Sequence, residues 1–311
     1  MGFEKEEIKF VYPTKVINPL QKLFIEWDLT YWCNLSCPYC IQREEKREKT
    51  SEKTVENIAK KLREQISGKE IKLSLHGGEI STMYDLQKIC KILFENNNVK
   101  GIVLLTTNLT ASLNVYKDFL EQKYDKIKFK IIASYHWGNI FNFTAKAEQL
   151  KNNIFSVVSV VDDTKRIEDL QYVSKIMREK GINFKFTIGR IPYSYEQYKL
   201  SENILQCITD TNKEYDNCRI EYKDGGVEYF SSRSEMLHKY SNFKGFYCVT
   251  ANYIKPNGDV TYGSCFDRDK VIGNILKDNV SLRLTNKKCT TEHYCSLCNA
   301  ILLYRGLFDE S

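Results

Sequence analysis

The sequence lacks the features that mark membrane-spanning, exported and lipid-anchored proteins. No run of 18 apolar residues occurs among its 311 residues, so we expect no transmembrane helix. The first residues, MGFEKEEIKF, are charged and contain no apolar core of a signal peptide. Glu6 also stands where the myristoylation pattern has serine or threonine. These absences predict a cytoplasmic protein with no membrane partner.

Proline is scarce, at 5 residues, and the chain contains no internal repeat, low-complexity tract or flexible linker. With 42% hydrophobic and 28% charged residues, this composition excludes a collagen-like or disordered chain. Its length suits one large domain or two unequal ones. The net charge of +6, from 46 basic and 40 acidic residues, is too small and too dispersed to indicate nucleic acid as a partner.

Cysteine, in contrast, is abundant. An odd total of 11 weakens a disulfide framework, and disulfides do not persist in a reducing cytosol. Thiols in such a chain indicate metal binding, catalysis or burial. Eight of the cysteines fall into two groups, namely Cys33, Cys37 and Cys40, and then Cys248, Cys265, Cys289, Cys295 and Cys298. The grouping predicts two sites, one near each end of the sequence.

Strand-like and helix-like segments alternate over the first part of the chain. The predicted strands cover 23–30, 71–76, 101–107, 128–134, 154–161 and 183–189, and the predicted helices cover 50–66, 84–96, 112–122 and 165–180. Such alternation predicts an α/β fold with a parallel sheet, curled or closed into a barrel. In such sheets the loops after the strands carry the chemistry.

The second predicted strand, IKLSLH, indicates what the sheet encloses. Ile71, Leu73 and Leu75 alternate with Lys72, Ser74 and His76, so the apolar set should pack on helices and the polar set should face inward. Polar lining suggests a cavity that receives a polar ligand. On the first strand, Glu26 and Asp28 could line the same cavity or form a salt bridge inside it.

The pattern changes near residue 195, where we predict a domain boundary. Residues 219–232 and 247–265 are each typical of a hairpin, with turns at 224–226 and 256–259. The predicted domains are therefore 1–195 and 196–311.

The first cysteine group has the spacing Cys33-x3-Cys37-x2-Cys40. A structural zinc ion would need a fourth ligand, and none is nearby in the sequence. Iron–sulfur clusters also bind thiolates, usually four. Three thiolates on a four-iron cluster would leave one iron open to a substrate or cofactor.

The stretch CNLSCPYC, from Cys33 to Cys40, resembles the CxxxCxΦC loop of the radical S-adenosylmethionine (SAM) superfamily, with Tyr39 as the aromatic residue. The resemblance covers roughly residues 20–195 and implies a partial (βα)6 TIM-like barrel. It implies that the three cysteines hold a 4Fe–4S cluster that binds SAM.

Further residues resemble SAM contacts of that family. Gly77, Gly78 and Glu79 resemble the element that binds the methionine amino group, although Ile80 stands where the family often has proline. Three more residues resemble SAM contacts at strand ends, namely Asn108, Ser134 and Arg190. A capping or turn role for the first two and a surface role for Arg190 are the alternatives.

The resemblance implies reductive cleavage of SAM to a 5′-deoxyadenosyl radical, which abstracts a hydrogen atom from the substrate. A reducing partner such as flavodoxin or ferredoxin would supply the electron. His136, at the end of a predicted strand, is a candidate proton acceptor, and a hydrogen-bonding loop histidine is the alternative.

The second cysteine group has the spacing Cys248-x16-Cys265-x29-Cys295-x2-Cys298. Four thiolates with this spacing could bind zinc equally well. The cysteines around IKPNGDV and the terminal CxxC resemble the SPASM/twitch extension of radical SAM enzymes, which implies a small α+β domain and an auxiliary 4Fe–4S cluster that moves electrons. Cys289 is a spare thiol that could replace one of the four ligands.

Three functions therefore stand as hypotheses. The first is a radical SAM oxidoreductase acting on a small polar substrate, such as a sugar, aminocyclitol or amino-acid derivative. The second is a maturase that crosslinks, epimerises or forms thioethers in a ribosomal peptide. The third is a zinc- or cluster-binding module without enzymatic activity, which predicts no cleavage of SAM.

Overall fold

The structure is a computed structural model that describes residues 22–40, 48–189, 198–213, 218–221, 227–230, 247–250, 252–262, 271–277, 280–282 and 285–288. Strands and helices alternate in its first part, in the order β1 (Lys22–Asp28), α1 (Glu52–Ile66), β2 (Glu70–His76), α2 (Leu86–Phe94), β3 (Lys100–Thr107), α3 (Leu113–Leu120), β4 (Ile127–Tyr135), α4 (Ile140–Leu150), β5 (Ile154–Val161), α5 (Ile167–Glu179), β6 (Phe184–Ile188) and α6 (Glu202–Lys213). Short strands follow, namely β7 (Cys218–Glu221), β8 (Val227–Phe230), β9 (Tyr247–Thr250), β10 (Asn252–Ile254), β11 (Asp259–Tyr262), β12 (Val271–Asn274) and β13 (Thr285–Lys288).

Strands β1 to β6 lie side by side in sequence order, and each pair is parallel. They form an open, barrel-like sheet. The predicted α/β fold with a partial six-stranded barrel is therefore confirmed. Because consecutive parallel strands must be joined by crossovers, all six carboxyl ends lie at one edge of the sheet.

The helices cover the outer face of this sheet, as the alternation in the second strand predicts. Leu73 and Leu75 are fully buried in the core, whereas Ser74 and His76 are half-buried on the opposite face. Ser51 caps the start of α1, because its hydroxyl accepts a hydrogen bond from the Thr54 amide at 3.1 Å.

Two helices are absent from the sequence-based prediction. The first, α4, begins after Asn139, whose side chain accepts from the Asn142 amide at 3.1 Å. Its sequence IFNFTAKAEQL does not stand out by periodicity alone, because its polar and apolar residues separate poorly onto two faces. The second, α6, packs beside α5 and β6.

The C-terminal strands divide among three sheets. Strand β10 pairs in parallel with the free edge of β1, and β11 and β12 follow in antiparallel order, so the main sheet has nine strands. The predicted hairpins of β7 with β8 and of β10 with β11 are confirmed. Strand β9, however, pairs with β13 and not with β10, because the main sheet already uses both edges of β10.

The predicted boundary near residue 195 lies outside the described residues and stays a prediction. In the part of the chain that the structure describes, no helix combines the length and the hydropathy needed to cross a membrane.

We expect Leu73→Ala to lower the free energy of unfolding by about 2–5 kcal/mol, because it leaves a cavity where the side chain is now 0% exposed. Phe155→Ala is the control, since Phe155 is 59% exposed and should change the free energy by less than about 0.5 kcal/mol. Urea unfolding measures both. Equal losses would mean that the core does not lie on the helix-covered face.

Candidate functional site

Four strand ends meet at one edge of the sheet and carry the predicted site residues. The cysteine loop (residues 33–40) follows β1, and the glycine turn (residues 77–79) follows β2. Asn108 directly follows β3, and His136 directly follows β4. The prediction that the motifs lie at the carboxyl ends of the strands is confirmed.

The three cysteines of the loop are half-buried, and none forms a disulfide. Burial, together with the charge of the neighbouring Cys40, raises the pKa of Cys37 to about 11. The loop by itself therefore favours the protonated thiol at Cys37. A positively charged group bound between the cysteines would reverse that preference.

The glycine turn packs directly against the backbone that leads into the cysteine loop. The Gly78 amide donates to the Thr30 carbonyl at 2.7 Å, and the Glu79 amide donates to the Trp32 carbonyl at 3.1 Å. A Cβ atom on Gly78 would lie 1.5 Å from the Trp32 carbonyl oxygen, and one on Gly77 would lie 2.3 Å from that of Thr30. The glycines are thus required for contact with the protein's own backbone, besides any contact with a ligand.

Glu79 is 1% exposed and joins the ends of β2 and β3. Its Oε1 accepts from the Thr107 hydroxyl at 2.8 Å, and its Oε2 accepts from the Asn108 amide at 2.6 Å. The Ser81 hydroxyl also donates to Oε1. Burial raises the pKa of Glu79. The hydrogen bonds act in the opposite direction, because they favour the carboxylate. The family resemblance implies a ligand contact here, and the structure adds this internal bridge.

A polar clamp ties the cysteine loop to the loop after β3. The Asn108 amide nitrogen donates to Asn34 Oδ1 at 3.0 Å, and the Asn34 amide nitrogen donates to the Thr110 hydroxyl at 2.9 Å. Lys146 on α4 supports this loop from behind, because its Nζ donates to the carbonyls of Leu109 at 2.9 Å and of Ala111 at 2.6 Å. Asn34 lies between two of the cysteines, so the clamp fixes the loop at one point.

The sequence carries no signal for Lys146. It lies in the helix that periodicity does not detect, and a single lysine on a helix resembles any surface lysine. Its ammonium group donates hydrogen bonds to fixed carbonyl oxygens instead of to water. Burial lowers the pKa of Lys146.

A second tie joins the cysteine loop to the end of β4. The Tyr39 hydroxyl and Nδ1 of His136 lie 3.0 Å apart and share a hydrogen bond, and the two rings stack with centroids 5.9 Å apart. Burial lowers the pKa of His136 to about 4, so the imidazole is neutral at physiological pH. Burial also raises the pKa of Tyr39, which keeps its proton. These observations favour the alternative of a hydrogen-bonding histidine over the proton acceptor.

The remaining predicted site residues take no part in the contacts above or lie outside the described residues. Ser134 is half-buried on β4, opposite Val158 of β5. Arg190, Cys265, Cys295 and Cys298 lie outside the described residues, and Cys248 lies in β9, of which only the backbone is described. These roles stay predictions.

Residues 27–134 match the family described as the radical SAM superfamily. The matched stretch includes the cysteine loop, the glycine turn and the polar end of β3. The chain therefore carries a radical SAM domain over these residues. No curated protein matches the chain at the level of sequence.

Several solved structures share the fold. Hexahistidine-tagged anSMEcpe with bound AdoMet is 18% identical, with a TM-score of 0.59 over 84% of this chain and 79% of that one. Native anSMEcpe with bound AdoMet and the Kp18Cys peptide is 19% identical, with a TM-score of 0.58 over the same shares, 84% and 79%. SuiB from Streptococcus suis is 13% identical, with a TM-score of 0.50 over 83% of this chain and 64% of that one. At these identities the likeness concerns the fold.

Gly78→Ala should lower the free energy of unfolding by about 3 kcal/mol, because the new Cβ would overlap backbone atoms of Trp32, which cannot turn aside as a flexible side chain can. Gly138→Ala is the matched control, since a Cβ there meets nothing within 4 Å. Thermal and urea unfolding of both variants provide the comparison. If the two variants were equally stable, the glycine turn would not pack on the cysteine loop.

Lys146→Met should lower the free energy of unfolding by about 1–3 kcal/mol, because it leaves buried carbonyl groups without their charged donor. It should also speed amide exchange in the cysteine loop, which hydrogen exchange with mass spectrometry detects. Lys151→Met, on the exposed end of the same helix, is the control and should leave exchange unchanged. Faster exchange spread evenly over the whole protein would contradict a local clamp.

Proposed function

We propose that the protein is a radical SAM enzyme in which Cys33, Cys37 and Cys40 hold a 4Fe–4S cluster. The observation that supports this most strongly is the cysteine loop itself, fixed on three sides at the carboxyl ends of the barrel strands. The glycine turn, the Asn34 clamp and the Tyr39–His136 contact provide those three fixed points.

The residues present fit such a cluster. All three thiols are free and half-buried, and they lie within a stretch of eight residues. In the described part of the chain, no three cysteine, histidine or acidic side chains gather around a point that a single metal ion could occupy. A cubane cluster needs no such point, because each of its thiolate ligands binds a different iron. Three thiols would leave one iron for SAM.

When bound, the reduced cluster and SAM would supply the 5′-deoxyadenosyl radical that abstracts hydrogen from the substrate. The chain's own residues position the reactants and exclude water. Gly77 and Gly78 bring the turn against the cysteine loop, and Glu79 and Asn108 form one bridged polar edge beside it. Ser134, on the inner face, and Arg190, after β6, are the further proposed contacts of SAM.

The inner face supports a polar substrate. The residues that face inward on β1 and β2 are mostly polar or charged, and they include Glu26, Lys72 and Ser74. We therefore retain a small polar molecule, such as a sugar, aminocyclitol or amino-acid derivative, as the first candidate. The likeness to anSMEcpe with a bound peptide favours a peptide as the second candidate.

We also propose that Cys248, Cys265, Cys295 and Cys298 hold an auxiliary 4Fe–4S cluster in a SPASM/twitch-like region. Strand β9, which contains Cys248, pairs with β13, which ends one residue before Cys289. That pairing supports Cys289 as the thiol most able to replace one of the four. An auxiliary cluster would pass electrons, which supports an oxidoreductase that is reduced by a flavodoxin or ferredoxin.

Anaerobic reconstitution should load about eight irons per chain, for two clusters of four. With SAM and dithionite, the loaded protein should release 5′-deoxyadenosine. Cys33→Ala should abolish this release, Cys295→Ala should leave part of it, and Cys90→Ala should leave all of it, because Cys90 is buried in α2. The proposal fails if the loaded wild-type protein releases no 5′-deoxyadenosine.

A further inference from the structure

Three polar side chains from distant parts of the sequence meet on the inner face of the sheet. Asp28 ends β1 and His76 ends β2, and the two residues are directly opposite each other in the parallel pair. The Asp28 carboxylate contacts Nδ1 of His76 through one oxygen and accepts a hydrogen bond from the Tyr253 hydroxyl through the other. Tyr253 belongs to β10, which the C-terminal hairpin adds beside β1.

Burial differs sharply within this group. Asp28 is 0% exposed and Tyr253 is 4% exposed, whereas the His76 side chain is 23% exposed. His76 is therefore the member of the group that reaches the open side of the inner face. Its Nδ1 is taken by Asp28, and within the described residues its Nε2 makes no hydrogen bond. Nε2 is the nitrogen left for a ligand.

The surrounding charges set the acid–base behaviour of His76. Burial alone would lower the pKa of His76, but the charge and hydrogen bond of Asp28, with a contribution from Glu26, raise it above its usual value. The Tyr253 hydroxyl, which donates to Asp28, disperses part of that carboxylate's charge. The end of the adjacent strand β3 contributes only the uncharged Thr106 and Thr107.

We propose that His76 is the proton-exchanging residue of the inner face, with Asp28 and Tyr253 as its positioning residues. Nε2 would accept a proton from, or share one with, an O–H or N–H group of the ligand. This proposal rests on the proposed function only in that the ligand of the inner face is then the substrate of the enzyme.

The proton balance of this step is simple. When Nε2 takes the proton, the imidazole becomes an imidazolium and the charge of the ligand group falls by one, so that an ammonium becomes an amine and a hydroxyl becomes an alkoxide. The Asp28 carboxylate, already in contact with Nδ1, compensates the new charge, and no electron moves. A polar ligand with a hydroxyl or ammonium group next to the reacting carbon fits this chemistry.

The second histidine of the site has the opposite character. His136 also lies at a strand end, but no carboxylate partner contacts it among the described residues, and burial lowers its pKa to about 4. A histidine that is neutral throughout the physiological range cannot hold an accepted proton. The two histidines therefore provide an internal comparison within one protein.

The test is the pH dependence of carbethoxylation by diethylpyrocarbonate, which reacts with neutral imidazole. Reactivity at His76 and His136 is followed by peptide mass spectrometry on the reconstituted protein from about pH 5 to pH 9. The rate at His76 should rise through a midpoint above the ordinary value of about 6.5. The rate at His136 should stay flat, since its pKa of about 4 lies below this range.

Two variants separate this proposal from a merely structural contact. Asp28→Asn should lower the midpoint of His76 by about one pH unit or more, because it removes the charge. Tyr253→Phe keeps the ring and the carboxylate, and it should leave the midpoint unchanged or raise it. Loss of packing alone would shift the His76 midpoint in the same direction in both variants.

An unreactive His76, a wild-type midpoint at or below the ordinary value, or a downward shift in Tyr253→Phe would each overturn the proposal. Tyr253→Phe keeps the test decisive if Asp28→Asn does not fold. Release of 5′-deoxyadenosine from the wild-type protein is measured in parallel. If the wild-type protein released no 5′-deoxyadenosine, the proposed function would be contradicted. The carbethoxylation midpoints would still test the role of His76.

Discussion

The backbone contact between the glycine turn and the entry to the cysteine loop is the constraint on which the site depends. Two hydrogen bonds join the turn to the carbonyls of Thr30 and Trp32, and no Cβ atom fits between the two backbones. Strands β1 and β2 are adjacent, so their loops emerge side by side, and the glycines let them touch. This contact places three cysteines against the polar edge of the barrel.

Buried polar side chains connect this contact to the neighbouring strand ends. Glu79 uses both carboxylate oxygens to bridge the ends of β2 and β3, and the Asn34 clamp extends the connection back to the cysteine loop. Tyr39 adds a contact with β4. A site assembled from four strand ends needs such ties, because its geometry must be held by contacts between the loops.

The C-terminal part of the chain also contributes to the barrel. The β10–β11 hairpin continues the sheet at β1, and this position brings Tyr253 to the buried Asp28. The inner face therefore combines residues separated by more than two hundred positions. Its polar character follows from the alternation along β2, but its composition depends on which strand lies next to β1.

The sequence alone determined the strand–helix alternation, the polar inner face and the position of the cysteine loop, because period, capping residues and motif spacing are local properties. Only the tertiary structure decided that the Lys146 carbonyl contacts support the loop after β3, and that Asp28 meets both His76 and Tyr253. Those contacts depend on strand order and register. A single lysine, aspartate or tyrosine carries no local signal of the neighbour that the fold will bring to it.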